Sequence, residues 1–216
     1  KKKKKKKGKY YFYEVGYYAH LFDLDTTDVL NRLIAASNPV INHKFSEEIR
    51  GKPDLYLPFW ITSTLWALMS YCFMLATLIS EITGSAADTP ENYNRIAWAA
   101  IALYSYVFLI PIIYWLPGKF WLELPLSYAD NACICGYALI PYLPTAIICI
   151  MPYPHLRWIP VIISLLLSSW FQLMNYYAYY KHEMARGIIF LAIMGVFQLA
   201  FAFSMKWYFF DYTTFS

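Results

Sequence analysis

Apolar residues gather into five long stretches along this chain, and short polar segments separate them. Each stretch is close to or above the 20 or so helical residues that cross the ~30 Å hydrocarbon core of a bilayer. The predicted spans are residues 59–80, 96–116, 132–151, 158–177 and 187–210. Because the links between them are short, we expect one all-α, five-helix transmembrane bundle over residues 59–216. A polar and aromatic N-terminal region, residues 1–58, precedes it.

The third predicted span carries signals of close packing and of a bend. Gly136 allows a neighbouring helix to approach, while Pro141 and Pro144 remove two backbone donors and predict a kink. Polar side chains in the last two spans are expected to hydrogen-bond between helices. They are Ser164, Ser168, Gln172, Asn175 and Gln198. We favour packing within the chain for them over a partner interface, although a bent helix with free carbonyl groups also suits a partner's polar side chain.

A short amphipathic helix is predicted in the N-terminal region. Asp25 or Thr26 can cap its first turn. Apolar residues then recur at helical spacing: Val29, Leu30, Leu33 and Ile34. The opposite positions are polar: Asp28, Asn31 and Arg32. Such a helix either lies on the membrane surface or packs against the bundle.

Composition and charge agree with a membrane protein. Hydrophobic residues make up 59% of the chain and charged residues 15%, against roughly 45–50% and ~25% in soluble domains. The formal net charge of +4 depends on the seven lysines of residues 1–7; the remaining chain has 11 positive against 14 negative residues. A nucleic-acid-binding domain would spread basic residues over a face, so we expect no nucleic-acid partner.

The lysine run is either a genuine polybasic segment, which anionic lipid would attract, or a tag or placeholder. The chain does not begin with Met, and we expect it to lie inside a longer protein.

Positive residues near the spans predict the orientation. The side of the N-terminus collects Lys44, Arg50, Lys52, Lys119, Lys181 and Arg186. The other side has Arg95 and Arg157, with Lys206 close to its boundary. Cytoplasmic loops carry the excess of Lys and Arg, so we expect a cytoplasmic N-terminus and a lumenal C-terminus.

Residues that carry catalytic chemistry do not form a recognisable set. The four cysteines, Cys72, Cys133, Cys135 and Cys149, fall inside predicted spans and are interpreted as buried structural thiols. Asp23, Asp25 and Asp28 resemble the start of a calcium loop, but the glycine and distal Glu that complete one are absent, so capping is preferred. Asp130 and Lys206 are the ionisable groups expected at membrane depth, and both lie near span ends. We therefore predict no enzyme, no cofactor and no metal; a lipid or ion conduit remains the minor alternative.

Several motifs along the chain occur in an order that matches one family of membrane proteins. The segment PDLYLPFWI at residues 53–61 is similar to the DLYGPFW signature of the Yip family, the Ypt/Rab-interacting membrane proteins. FDLDT at residues 22–26 resembles a segment of one Golgi-associated branch, and the third span matches through Gly136-Tyr137 and YLPTAI at residues 142–147. Leu57 departs from the family's usual glycine, and Pro141 is an additional proline.

The resemblance implies a non-enzymatic membrane adaptor of the endoplasmic reticulum and Golgi. It would bind prenylated Rab-type GTPases, related multi-span proteins and membrane lipids, and act in vesicle traffic. The cytosolic residues next to the bilayer would contact the GTPase. The candidate partner-binding residues are Asp23, Asp25, Val29, Leu33, Asp54 and Tyr56; the candidate helix-packing or kink residues are Gly136, Tyr137, Pro141, Pro144, Gln172 and Asn175. The alternative is a constitutive structural subunit of a larger membrane complex without any GTPase contact.

Overall fold

The computed structural model describes residues 22, 25–37, 45, 53–82, 92–120, 125–150, 156–180 and 184–209. All regular secondary structure in these ranges is helical. The helices are α1 (Thr26–Ser37), α2 (Tyr56–Ile82), α3 (Asn92–Phe108), α4 (Ile110–Phe120), α5 (Tyr128–Tyr137), α6 (Tyr142–Ile148), α7 (Trp158–Tyr180) and α8 (Met184–Ser204). A π-helical turn, Met205–Phe209, follows α8.

Five helical segments are long and apolar enough to cross a membrane, which confirms the predicted all-α, five-span architecture. They are Tyr56–Ile79, Asn94–Phe120, Tyr128–Ile148, Trp158–Tyr177 and Gly187–Trp207. The division of the chain at residue 58 stays a prediction; the first of these helices begins slightly before it, at Tyr56.

The third span forms the centre of the bundle. Within its most apolar window 67% of residues are buried, against 28–39% in the other four spans. Its first half, α5, packs against both α2 and α4, while α6 packs against α2 and α7. The outer spans instead present large apolar side chains outward, such as Leu166 at 63% and Val196 at 65% exposure. Because apolar side chains are favoured in contact with lipid, this arrangement suits a bilayer.

The third span bends between α5 and α6, where the sequence predicted a kink. Residues 138–141 separate the two helices, and backbone bonds there join residues three apart, such as Leu139 N to Gly136 O at 3.2 Å. Such a tight 3₁₀-type stretch inside a helix is a common form of bend. Pro141 lies at the N-cap of α6 and Pro144 in its first turn, where helical backbone donors have no intrahelical acceptor. Both prolines therefore fit without losing a helical hydrogen bond.

The second span is interrupted, which the sequence analysis did not predict. It consists of α3 and α4, which are separated at Leu109. Pro111 has no N–H to donate to the carbonyl four residues earlier, and its ring crowds that carbonyl. The interruption is therefore the local response to a proline inside an apolar stretch.

The N-terminal helix α1 packs against the bundle, which was one of the two arrangements expected for it. Ala35 and Ala36 are buried and belong to the same hydrophobic core as the spans, and Val29 and Leu33 pack against that core. Leu30 and Ile34 remain exposed, at 54% and 62%. The predicted apolar face is thus divided: Val29 and Leu33 face the bundle, and Leu30 and Ile34 face outward. The small side chains of Ala35 and Ala36 allow α1 to lie close to the bundle.

Candidate functional site

A buried cluster of polar groups joins α1 to the bundle. We call it the Asp54 junction and define it by Arg32, Asp54, Cys133 and Tyr137. Arg32 Nη1 forms a salt bridge with Asp54 Oδ2. The Tyr137 hydroxyl donates to the same oxygen at 3.2 Å, and Cys133 Sγ donates to it at 3.8 Å. These residues come from α1, from the start of the first span and from α5, so the junction connects three parts of the chain.

Asp54 also positions the start of the first span. Its Oδ1 accepts a hydrogen bond from the backbone N–H of Leu57 at 3.2 Å. The first N–H groups of a helix have no intrahelical acceptor, and a carboxylate there also interacts favourably with the helix dipole. Leu57, where the family usually has glycine, lies inside the first turn of α2 and is buried. A helical turn at this point does not require glycine.

The charges of the junction are shielded from solvent. Arg32 is 5% exposed and Asp54 1%. Burial opposes the charged form of Arg32, but the attraction of Asp54 and their hydrogen bond outweigh that effect and raise the pKa of Arg32. A buried charge is tolerated when it is paired and hydrogen-bonded. Each buried charge of the junction is therefore compensated by its partner.

Phe45 extends the junction toward the fourth span. Its ring is 1% exposed and lies 4.7 Å from the ring of Tyr137 and 5.0 Å from that of Phe171, measured between centroids. Aromatic pairs at these distances and inclined angles are favourable. The same Tyr137 therefore donates its hydroxyl to Asp54 and packs its ring against that of Phe45.

Gly136 allows the first and third spans to touch beside the junction. A Cβ atom on Gly136 would lie 2.7 Å from Cα of Pro58, a distance that real Cβ atoms do not adopt. The close approach predicted for Gly136 is thus made to Pro58 of α2. Tyr137, the next residue of α5, reaches the junction beside this contact.

The candidate partner-binding residues separate into two groups. Asp25 is exposed and Tyr56 is 39% exposed, with its ring 6.2 Å from that of Trp60. Val29 and Leu33 pack partly against the core. Asp54 is buried and bonded within the chain, and its part in a partner contact stays a prediction. Asp23 lies outside the described residues.

The exposed surface of α1 includes residues that the candidate set did not contain. Leu30 and Ile34 are four residues apart and therefore lie on one face, which points away from the core. Arg32, which the sequence pattern assigned to the polar outer face, is buried instead. Its ion-pair partner is 22 residues away, and helical periodicity contains no information about such a contact.

The polar residues of the fourth and fifth spans make most of the expected bonds between helices. Gln172 Nε2 donates to the Tyr106 hydroxyl at 2.8 Å, and Gln198 Nε2 donates to Ser168 Oγ at 3.1 Å. Asn175 Nδ2 instead donates to the carbonyl of Phe171 in its own helix at 2.7 Å.

The kink residue Pro141 also receives a bond between helices. Ser164 Oγ donates to the Pro141 carbonyl at 2.8 Å. Polar side chains of α7 therefore contact the free backbone at the bend of the third span.

Reactive groups do not converge in the described ranges. No group of three or more His, Cys, Asp or Glu side chains there could hold a metal ion. The four cysteines are buried and unbridged. Asp130, one of the two ionisable groups expected at membrane depth, forms a capping box with Ser127 at the start of α5. Arg32, Asp54 and Arg157 are also buried, which the sequence analysis did not predict.

The fold and the junction define a multi-pass α-helical membrane protein with an N-terminal helix attached to its bundle. A family model described as the Yip1 domain matches residues 38–205. This chain belongs to the Yip family.

Two curated relatives agree with this assignment. The chain is 36% identical over 208 residues to "Protein YIPF1 homolog" of Dictyostelium discoideum, which covers 95% of this chain and 58% of the relative. It is 29% identical over 126 residues to "Protein YIP5" of Schizosaccharomyces pombe, covering 58% of this chain and 49% of that protein. The chain thus spans about half the length of these relatives. No solved structure matches it.

Proposed function

We propose that this chain acts in membrane traffic as a non-enzymatic adaptor of the endoplasmic reticulum or Golgi. It binds a Rab-type GTPase through its N-terminal side and related multi-span proteins through its spans. Membership of the Yip family supports a role in traffic. The observation that carries the adaptor role is the anchored helix α1, which presents Leu30 and Ile34 to its surroundings while Ala35 and Ala36 are buried in the bundle.

The surface of α1 suits a protein contact close to the membrane. Leu30 and Ile34 provide an apolar patch, and Asp25 and Asp28 provide exposed carboxylates at its N-terminal end. Interfaces commonly combine an apolar centre with a polar rim. The ion pair between Arg32 and Asp54 keeps α1 against the start of the first span. A GTPase bound there lies near enough to the bilayer for its prenyl group to enter the lipid.

The distribution of positive residues supports a cytoplasmic location for α1. Prenylated GTPases act on the cytoplasmic leaflet, so the proposed contact requires this orientation. The positive-inside rule favours it even when the lysine run of residues 1–7 is omitted.

A pull-down with the full chain in detergent or nanodiscs tests the GTPase contact. Prenylated and unprenylated Rab GTPases are compared as ligands. We expect the double change Leu30→Ser and Ile34→Ser to weaken binding of the prenylated form about tenfold, as removal of a small hydrophobic hot spot does. Asn31→Ser is the matched control, because it changes an exposed residue of the same helix.

Two outcomes would reject the GTPase contact. One is failure of both GTPase forms to bind the unchanged chain; the other is binding that the Leu30 and Ile34 changes leave intact. A stoichiometric complex of membrane subunits that survives detergent purification without any GTPase would then favour the structural-subunit alternative.

A further inference from the structure

A cleft of about 260 Å³ lies between α7 and α8. Its apolar lining includes Leu166, Trp170, Leu173, Leu191 and Met194. Leu166 and Trp170 are also exposed on the outside of the bundle, so the cleft lies on the side that faces lipid. An apolar cavity of 150 Å³ is large enough to bind benzene, and this cleft is clearly larger.

Two buried glutamines line this cleft with unused hydrogen-bonding capacity. Gln172 and Gln198 are 1% and 2% exposed. Their Nε2 atoms donate to Tyr106 and Ser168, but neither Oε1 has a hydrogen-bond partner among the described residues. Each amide is thus placed with one end bonded inside the bundle and its oxygen unpartnered beside the cleft that the residue lines.

Gln198 lies deep in the membrane, where water cannot satisfy its side chain. Gln198 is eleven residues beyond Gly187, the start of the fifth span, or about 16 Å along a helix that rises 1.5 Å per residue. Half of the ~30 Å hydrocarbon core is a similar distance. Unpaired polar groups are strongly disfavoured at this depth, so a ligand with a complementary polar group is favoured there.

Gly195 keeps the cleft open. It lines the cleft, and a Cβ atom built on it would meet no atom within 4 Å. Gly136, the glycine of the third span, is in contact with Pro58. Gly195 therefore borders unfilled space, whereas Gly136 serves the packing of two helices.

We propose that the cleft between α7 and α8 binds a neutral membrane lipid with a hydroxyl or amide group. That group hydrogen-bonds to Gln172 and Gln198, and the hydrocarbon lies against Trp170, Leu173 and Met194. The lining contains no charged side chain, so nothing in the cleft compensates a charged headgroup. One turn of a helix 10 Å wide occupies about 400 Å³, which exceeds the cleft volume. A single hydrocarbon chain is narrow enough to enter the cleft while the rest of the lipid stays in the bilayer, whereas a partner's helix is too wide.

Photolabelling in vesicles tests this site without any GTPase. The full chain is reconstituted in phosphatidylcholine with a trace of a diazirine-bearing diacylglycerol or ceramide, and a labelled phosphatidylcholine serves as the bulk-lipid comparison. We expect the two neutral probes to label peptides of α7 and α8 above the phosphatidylcholine level. Diacylglycerol offers a hydroxyl alone and ceramide offers hydroxyls together with an amide, so stronger labelling by ceramide would indicate that the amide adds to binding.

Two substitutions connect the labelling to the cleft. Gly195→Leu fills it, and we expect labelling by the neutral probes to fall about tenfold, equivalent to about 1.4 kcal/mol of binding. Val196→Leu is the control, because it enlarges the adjacent residue on the lipid-facing surface. Gln198→Leu keeps the size of the side chain and is expected to lower labelling by both neutral probes. Size-exclusion profiles establish that each variant is folded. If Gly195→Leu does not fold, labelling by the neutral probes is compared between the unchanged chain, Gly195→Ala and Gln198→Leu instead.

Labelling that these cleft variants leave unchanged would overturn the proposal. So would labels distributed evenly over the outer faces of all spans, since that pattern describes bulk lipid. A bifunctional crosslinker applied to the same vesicles tests the other occupant: a crosslink between chains that Gly195→Leu abolishes, with lipid labelling unaltered, would assign the cleft to a partner's side chain instead.

Discussion

At the scale of single residues, Asp54 connects α1, α5 and the first turn of α2. It pairs with Arg32, accepts from Tyr137 and positions the first turn of α2. A carboxylate in the PDLYLPFWI segment therefore has a structural role inside the chain. Its position beside the membrane in the sequence suggested a partner contact. The sequence could not show that Asp54 is buried, because its partner Arg32 is 22 residues away and the two meet only in the tertiary structure.

Removing one partner of this ion pair should be strongly destabilising. We expect Arg32→Met to cost roughly 3–5 kcal/mol of unfolding free energy, because it leaves Asp54 buried and uncompensated. The double change Arg32→Met and Asp54→Leu should recover a large part of that loss. Thermal unfolding of the four combinations in one detergent measures the coupling between the residues.

Asp25→Asn is the matched control for the ion pair. Asp25 is exposed beside α1, and surface changes of this kind usually stay within about 0.5 kcal/mol. Additive effects of the Arg32 and Asp54 changes would contradict the pairing, since coupled residues give non-additive values.

At the scale of helices, the third span determines how the others pack. It is the most buried span, it approaches the first through Gly136, and its bend exposes the Pro141 carbonyl to Ser164. The glycine and the prolines were visible in the sequence together with their general effect. Their partners, Pro58 and Ser164, became known only from the packing.

A pair of glycine substitutions separates close packing from helix propensity. Gly136→Ala should destabilise the protein by about 1–3 kcal/mol, because its Cβ overlaps Pro58 and the core must shift. Gly195→Ala meets no neighbouring atom, so it should be neutral or stabilising by up to about 1 kcal/mol through higher helix propensity. Chemical or thermal unfolding of both variants measures the contrast, and equal effects would contradict the contact with Pro58.

At the scale of the whole molecule, the orientation in the membrane stays a prediction, in which five spans put the two ends of this sequence on opposite sides. The excess of Lys and Arg near the N-terminal side predicts that this side is cytoplasmic. An exposed α1 and a lipid-facing cleft between α7 and α8 would then serve different partners. The two partners that we propose are a protein in the cytosol and a lipid within the bilayer.

Selective permeabilisation of cells tests this orientation. With only the plasma membrane opened, we expect an antibody to reach an epitope fused ahead of residue 1 but not one fused after Ser216. Detergent that opens all membranes should reveal both. The opposite order of access would contradict the charge-based orientation, and access to both in the first step would contradict an odd number of spans.

The sequence by itself determined the fold class, the five spans and the family resemblance of this protein. It could do so because apolar length and short motifs are local properties of a chain, and a bilayer imposes a minimum length on every span. The two prolines Pro141 and Pro144 are a local signal of the same kind, and they located the bend of the third span. It missed the interruption beside Pro111, although the signal, one proline in an apolar stretch, was present.

Only the tertiary structure decided which polar groups are buried and what they contact. The pairing of Arg32 with Asp54 and the exposure of Leu30 and Ile34 depend on how close α1 approaches the bundle. The cleft that Gln172 and Gln198 line likewise depends on the separation of α7 and α8. These distances result from packing between residues far apart in the chain, and no periodicity along one helix contains them.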